Sequence, residues 1–229
     1  VEVLMSPAPA PGSHRRDHRS VLAGAEKRLL VAMAQRLPAW VTSDQLSALA
    51  LGAMCAAGAG FAAMRETPWG AALVGAGLAA NWFGDSLDGT LARYRNQQRP
   101  RYGFYVDHIV DAFGIAFVMA GFAFSGYMSP IMAMGFLLAY YLMNIEIYLA
   151  TYTLYEFRLT YGILGPTELR VIVAFGNVML LSHKTAHLWG HTFLLCDVSA
   201  AVGIVGILGI AVFSSIRNTI RLYNEERLP

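Results

Sequence analysis

Charge is scarce in this chain. Lysine, arginine, aspartate and glutamate supply only 14% of its 229 residues, against about a quarter in a soluble domain. The net charge of +2 leaves no basic excess for binding nucleic acid. Cysteine is equally sparse. Cys55 and Cys196 are the two present, both in apolar runs and without metal-type spacing. That excludes a disulfide framework and predicts two small buried hydrophobes. A secretory leader is not expected either: Ser6 to Gly12 is rich in proline and alanine, and charges follow it rather than an apolar core. No internal repeat is evident. What the chain has in abundance is apolar residues, 56% of the total, with a mean hydropathy of +0.46. They come in long blocks, the pattern of an integral membrane protein.

Taken in order, residues 1–17 read as a disordered tail rich in Pro, Ser and Arg. Residues 18–37 read as a juxtamembrane amphipathic helix. There Val21, Leu22, Leu29, Leu30, Met33 and Leu37 are interspersed with Glu26, Lys27, Arg28 and Arg36. It is too polar to span and is expected to lie on the membrane surface, ending at Pro38. Residues 38–229 read as a single catalytic domain of six transmembrane helices, near 45–64, 70–92, 104–126, 130–153, 168–183 and 193–216. The fifth is short for a bilayer. Thr42-Ser43-Asp44 offers a cap for the first. Trp40, Trp69 and Trp189 fall near the expected interfaces. Gly52, Gly58 and Gly60, and later Gly203, Gly206 and Gly209, read as packing positions. The expected fold is thus an all-α integral membrane protein, six spans plus an N-terminal surface helix.

The distribution of charge orients it. With the N-terminus inside, the inner segments hold fifteen of the seventeen Lys and Arg residues, and the outer ones only Arg65 and Lys184. This bias predicts both termini on the cytoplasmic side. It also puts Asp85, Asp88, Asp107 and Asp111 near the cytoplasmic ends of the second and third spans.

Those four acids are the unusual feature. Asp85 and Asp88 are spaced i,i+3 and Asp107 and Asp111 i,i+4, so each pair shares a helical face. Ionised groups within a membrane helix are costly and point to function. Oxygen-only ligands select hard cations such as Mg²⁺ or Mn²⁺, and four acids suit two ions better than one. Gly89 and Ala92 keep the same face shallow, and Arg93 offers a cation to a phosphate. A plainer reading pairs the acids with Arg93, Arg95, Arg99 and Arg101 as an interfacial salt-bridge network.

The run Asp85-x2-Asp88-Gly89-x2-Ala92-Arg93-x9-Gly103-x3-Asp107-x3-Asp111 resembles the signature of the CDP-alcohol phosphatidyltransferases, and all eight signature positions match. The resemblance implies that Asp85, Asp88 and Asp107 hold two divalent metals, Mg²⁺ or Mn²⁺. It implies that Asp111 ligates the second metal and serves as general base on the acceptor hydroxyl. Gly89, Ala92, Arg93 and Gly103 would line the nucleotide pocket. The family tends to carry Pro-Asn and Thr near the start of the first helix. Here Ser43 and Asp44 depart from that pattern, and Ser47 retains a hydroxyl. Asn81, one turn before Asp85, reads either as a ligand contact or as a core or capping residue.

The acceptor side is expected between Glu146 and Arg170. Arg158 and Arg170 would serve a phosphate, and Glu168 an amine or hydroxyls; the plainer reading is a capped helix starting at Thr167 and Glu168, after Pro166, with inner-face anchors. Glu146 is a lone membrane glutamate and needs a partner. His108 is expected to touch a neighbouring helix, and His183, His187 and His191, spaced i,i+4, to form a solvated face. The resulting expectation is a homodimeric phospholipid synthase of the cytoplasmic (inner) membrane, its site on the cytoplasmic face. It would transfer a substituted phosphate from a CDP-linked donor, CDP-diacylglycerol favoured, to an alcohol, releasing CMP. A CDP-aminoalcohol donor with a diacylglycerol acceptor is the alternative within the family. A cation transporter using the acids is the alternative outside it, although no inverted repeat is visible.

Overall fold

The computed structural model describes residues 23–154, 166–182, 184–188 and 190–226. Among these residues seven helices are formed: α1 (Ala23–Arg36), α2 (Ser43–Ala63), α3 (Trp69–Tyr94), α4 (Pro100–Ser125), α5 (Pro130–Leu154), α6 (Pro166–Leu180) and α7 (Leu195–Glu225). Strands β1 (Thr185–Leu188) and β2 (His191–Leu194) make a small hairpin between α6 and α7.

Among the described residues, four helices, α2, α4, α5 and α7, are long and apolar enough to cross a bilayer. They make this a membrane protein. Helix α3 has ample length, 26 residues, but Asn81, Asp85, Asp88 and Arg93 dilute its apolar run. Helix α6 has only 15 residues, short of the roughly 20 that a span needs.

Helix α2 is the hub. Both α3 and α4 pack along it, whereas α3 and α4 scarcely touch one another. Glycine makes the approach possible. A Cβ on Gly84 of α3 would sit 2.5 Å from the Leu46 carbonyl oxygen, and one on Gly121 of α4 would sit 2.0 Å from that of Gly58. No side chain fits at such backbone contacts. Gly70, Gly77 and Gly84 recur every seventh residue and all abut α2 backbone. Of the expected packing glycines, Gly58, Gly60 and Gly203 meet neighbours, while Gly52, Gly206 and Gly209 face open space. Phe61 stacks on Phe122, ring centroids 3.9 Å apart, tying α2 to α4. Outside this core, α5 packs on α4 and α7, and α6 on α3.

Several expectations change. Helix α1 forms and packs on α3. Its Leu30 and Ala34 are buried with Leu46, Leu87 and Leu91, and the Trp82 indole donates to Glu26 at 2.9 Å. Burying that face against α3 removes apolar area from water, at about 25 cal/mol per Å². The hairpin corrects the purely helical reading. His187 and His191 lie on its two strands, His187 opposite Thr192 and His191 opposite Leu188, so they share no helical face. Both are exposed, as a solvated patch requires. His183 and Trp189 lie outside the described residues. Cys196 is buried as expected, but Cys55 is exposed; it sits on the side of α2 turned away from α3 and α4.

Candidate active site

The end of α3 is fixed by its own sequence. Asn96 takes a left-handed φ of 55°, a conformation asparagine tolerates. The Gln97 amide then donates to the Ala92 carbonyl at 2.9 Å and the Asn96 amide to that of Arg93 at 3.3 Å, a Schellman closure. Pro100 starts α4 three residues later, where its missing N–H costs nothing. The reversal sends α4 back antiparallel to α3 with the two acid pairs at matching depth.

Because α3 and α4 both lean on α2 rather than on each other, the acids line the walls of a cleft with α2 as its floor. Asp85, Asp88, Asp107 and Arg170 all lie within electrostatic reach of Asp111. Asp111 is exposed, and the other three acids are half-buried. From α5, Tyr140 and Tyr148 also come within reach of Asp107 and Asp111.

Each wall has a distinct support. Asp88 is held from α2: Ser47 Oγ donates to its Oδ2 at 2.5 Å, and Ser43 Oγ donates to its backbone carbonyl at 2.9 Å. Its Oδ1 accepts from the Gly89 amide at 2.5 Å. The α2 N-terminus that carries both serines is set by a capping box, in which Thr42 Oγ1 accepts from the Gln45 amide and Gln45 Oε1 from the Thr42 amide. Asp85 is met from α6: Arg170 Nη2 donates to its Oδ2 at 2.5 Å, with side chains 19% and 22% exposed. On α4, His108 Nδ1 lies 2.6 Å from the Phe104 carbonyl. A carbonyl only accepts, so Nδ1 carries the proton. The His108 ring meets Tyr148 of α5 edge-on, centroids 5.3 Å apart, the neighbouring-helix contact expected of it.

The residues between the acids form the shallow part of the cleft. Arg93 lies over Gly89, where an added Cβ would be 3.3 Å from Nη1, and its Nη2 donates to Thr90 at 3.1 Å. Ala92 is half-buried, and at Gly103 nothing lies within 4 Å of an added Cβ. Beside them a cavity of about 390 Å³ is lined by Thr42, Ser43, Asp44, Gln97, Gln98 and Arg99, with Arg99 bridged to Asp44 across it.

A sequence profile of the CDP-alcohol phosphatidyltransferase family matches residues 40–211. The chain belongs to this family. The match runs from just before α2 into α7 and takes in the cleft and all its acids. No individual curated protein matches the sequence. Membership makes the chain a membrane transferase that moves a phosphatidyl group from a CDP-linked alcohol, in a family generally dependent on divalent metal. The donor set has the right chemistry for such ions, being carboxylate oxygen throughout. Arg170 against Asp85 shows that the cleft accepts positive charge. Among the described residues, no three Asp, Glu, His or Cys side chains converge on one point.

The remaining expected site residues divide. Arg170 is at the cleft. Glu146 is held by α7: its Oε1 accepts from Ser214 Oγ and from Asn218 Nδ2, both at 2.8 Å. Glu168 lies in the first turn of α6, its side chain outside the description, and Arg158 lies outside the described residues. Asn81 is a helix-to-helix tie, 4% exposed, its amide donating to the Ala50 carbonyl at 3.2 Å. The salt-bridge network fares differently at each arginine. Arg95 donates to four carbonyls of the α1–α2 connection, those of Leu37, Pro38, Ala39 and Val41, and Arg99 pairs with Asp44. Sequence reasoning missed Ser43 as a support of Asp88. The signal is a hydroxyl one turn before Ser47, which the sequence places in the helix cap and outside the family pattern.

Proposed function

We propose that this protein is a phospholipid synthase that transfers a substituted phosphate from CDP-diacylglycerol to a small polar alcohol and releases CMP. One observation carries the reading: the four signature acids, set on two helices that scarcely touch, share one cleft with Arg170. Asp85, Asp88 and Asp107 would hold two Mg²⁺ or Mn²⁺ ions, with Asp111 a further ligand of the second. The ions, when bound, neutralise pyrophosphate charge and make CMP a better leaving group. Asp111 takes the proton of the acceptor hydroxyl. The alkoxide oxygen bonds to the lipid-bearing phosphorus as the bond from that phosphorus to the CMP oxygen breaks. Arg93 receives phosphate charge over Gly89 and Ala92, and Gly103 leaves room beside the nucleotide. Ser47 serves the nucleotide site by fixing Asp88. The polar cavity between Ser43 and Arg99 suits the cytidine half. Arg170, with Arg158, Glu168 and Glu146, belongs to the acceptor side.

In this reading α3 and α6 complete six crossings, both termini are cytoplasmic, the cleft opens at the inner face of the cytoplasmic membrane, and the protein works as a homodimer. The arginine-rich inner segments support the orientation. A CDP-aminoalcohol donor with diacylglycerol as acceptor is the second reading. An ion transporter is disfavoured because the acids sit near one end of their helices.

The test is CMP release from purified protein with Mn²⁺ or Mg²⁺, offered CDP-diacylglycerol or CDP-choline with candidate acceptors. Release is expected with CDP-diacylglycerol, and Asp111→Asn should lower it by at least about a hundredfold, the lower end for loss of a general base. Full activity in Asp111→Asn would sink its role as base.

A further inference from the structure

At the far end of α3 from the acids lies a second cavity, of about 600 Å³, between the first turns of α3 and the last turns of α6. Its walls include Trp69, Ala72, Gly75, Ala174 and Val178, and are apolar except for Asn177. Asn177 is 2% exposed. Its Nδ2 donates to the Ala71 carbonyl at 2.9 Å, which fixes which end of the amide is oxygen. The oxygen, Oδ1, is the one buried side-chain polar atom without a hydrogen-bond partner among the described residues. Leaving such an acceptor unmet is costly, and an apolar residue of similar size would avoid that cost.

We propose that this cavity binds a membrane lipid that presents an O–H or N–H donor to Asn177. This rests on α3 and α6 crossing the bilayer, as proposed above. Trp69, 79% exposed at the start of α3, marks an interfacial depth, where lipids carry their polar groups. Ala71 and Asp85 are fourteen residues apart, about 21 Å along the helix, so the cavity is separate from the catalytic cleft. An apolar wall with one acceptor selects against a lipid that offers no donor. Asn177 is itself one of the residues that line the cavity. A phosphatidylglycerol hydroxyl and a phosphatidylethanolamine ammonium share the required chemistry; phosphatidylcholine lacks it.

The experiment is native mass spectrometry of the purified full chain after exchange into phosphatidylglycerol, phosphatidylethanolamine or phosphatidylcholine, comparing the lipid retained. Two variants accompany the wild type. Gly75→Leu fills the cavity from a position where an added Cβ meets nothing within 4 Å, and Asn177→Leu removes the acceptor. Retention of a donor lipid over phosphatidylcholine by about fivefold, the worth of one neutral hydrogen bond, and its loss in Gly75→Leu, support the site. The donor lipid retained tells hydroxyl from amine. Equal retention of all three lipids, or retention unchanged in Gly75→Leu, overturns it. CMP release assayed on the same samples separates the two readings. Gly75→Leu and Asn177→Leu should both keep it while losing the lipid preference, and a wild-type chain that shows no lipid preference but still releases CMP refutes this site alone.

Discussion

Arg170 of α6 donates to Asp85 of α3 at 2.5 Å, joining α6 to the first acid of the signature. Both side chains are partly covered, so the pair is worth more than an exposed one. Removing the arginine leaves Asp85 with uncompensated charge. Arg170→Ala should lower stability by about 1–2 kcal/mol, less than the cost of breaking a fully buried pair. Excess Mn²⁺ should recover much of that loss, because either cation serves the carboxylate. Thermal unfolding in detergent, with and without Mn²⁺, measures it. A loss that Mn²⁺ leaves untouched would separate Arg170 from the ion site.

The second prediction concerns Ser47, whose hydroxyl orients Asp88. A hydrogen bond to a charged group contributes about 1.5–3 kcal/mol, and partners of metal ligands typically matter by 10–100-fold in affinity. Ser47→Ala should weaken Mn²⁺ binding, read by electron paramagnetic resonance, by roughly tenfold. Ser47→Thr should restore most of it, since the hydroxyl returns. If Ser47 touched only the nucleotide, Mn²⁺ affinity without CDP would not move.

Much of this was legible in the sequence, and for identifiable reasons. The positions of α2 to α6 follow, to within a few residues, from the apolar runs. The acid cleft follows from helical spacing, since carboxylates in apolar surroundings have few other uses. Three things were not legible. The hairpin at Thr185–Leu194 has only Gly190, at φ 79°, to mark its turn, while the histidine spacing imitates a helix. The docking of α1 depends on Trp82 and Leu87, which belong to another helix. Glu146 finds its partners 68 and 72 residues away, a distance no local pattern spans.

Helix α2 can hold both neighbours only while glycine lines the seams. Gly84→Leu would drive a side chain into the Leu46 carbonyl and should cost at least the upper end of the roughly 1–3 kcal/mol typical of overpacking, or prevent folding. Gly52→Ala is the control. Its added Cβ meets nothing within 4 Å, and it should gain close to 1 kcal/mol of helix propensity. Thermal unfolding of the pair tests the seam. Similar behaviour of the two variants would refute it.

Glu146 tells packing from acceptor binding. Glutamine keeps the carbonyl oxygen that Ser214 and Asn218 need, so Glu146→Gln should hold stability within about 0.5 kcal/mol, whereas Glu146→Ala should lose about 1–3 kcal/mol by stranding both donors. If Glu146 also faces the acceptor, Glu146→Gln raises the acceptor KM while leaving the donor KM unchanged. Unchanged kinetics in a stable Glu146→Gln would confine it to the α5–α7 seam.

Gly89 offers the finest probe of the nucleotide side. A methyl there would stand 3.3 Å from Arg93 Nη1, tight but against the far end of a flexible side chain. The guanidinium can yield by a few tenths of an ångström, so the fold should be indifferent, and helix propensity favours alanine by about 0.8–1 kcal/mol. The cost falls on whatever Arg93 holds. Gly89→Ala should therefore unfold no earlier than wild type, yet raise the donor KM by about tenfold, the 1.4 kcal/mol equivalent of one displaced charge-assisted contact. The acceptor KM should stay put. If both KM values rise together, Gly89 shapes the whole cleft, and if neither does, Arg93 does not hold the pyrophosphate.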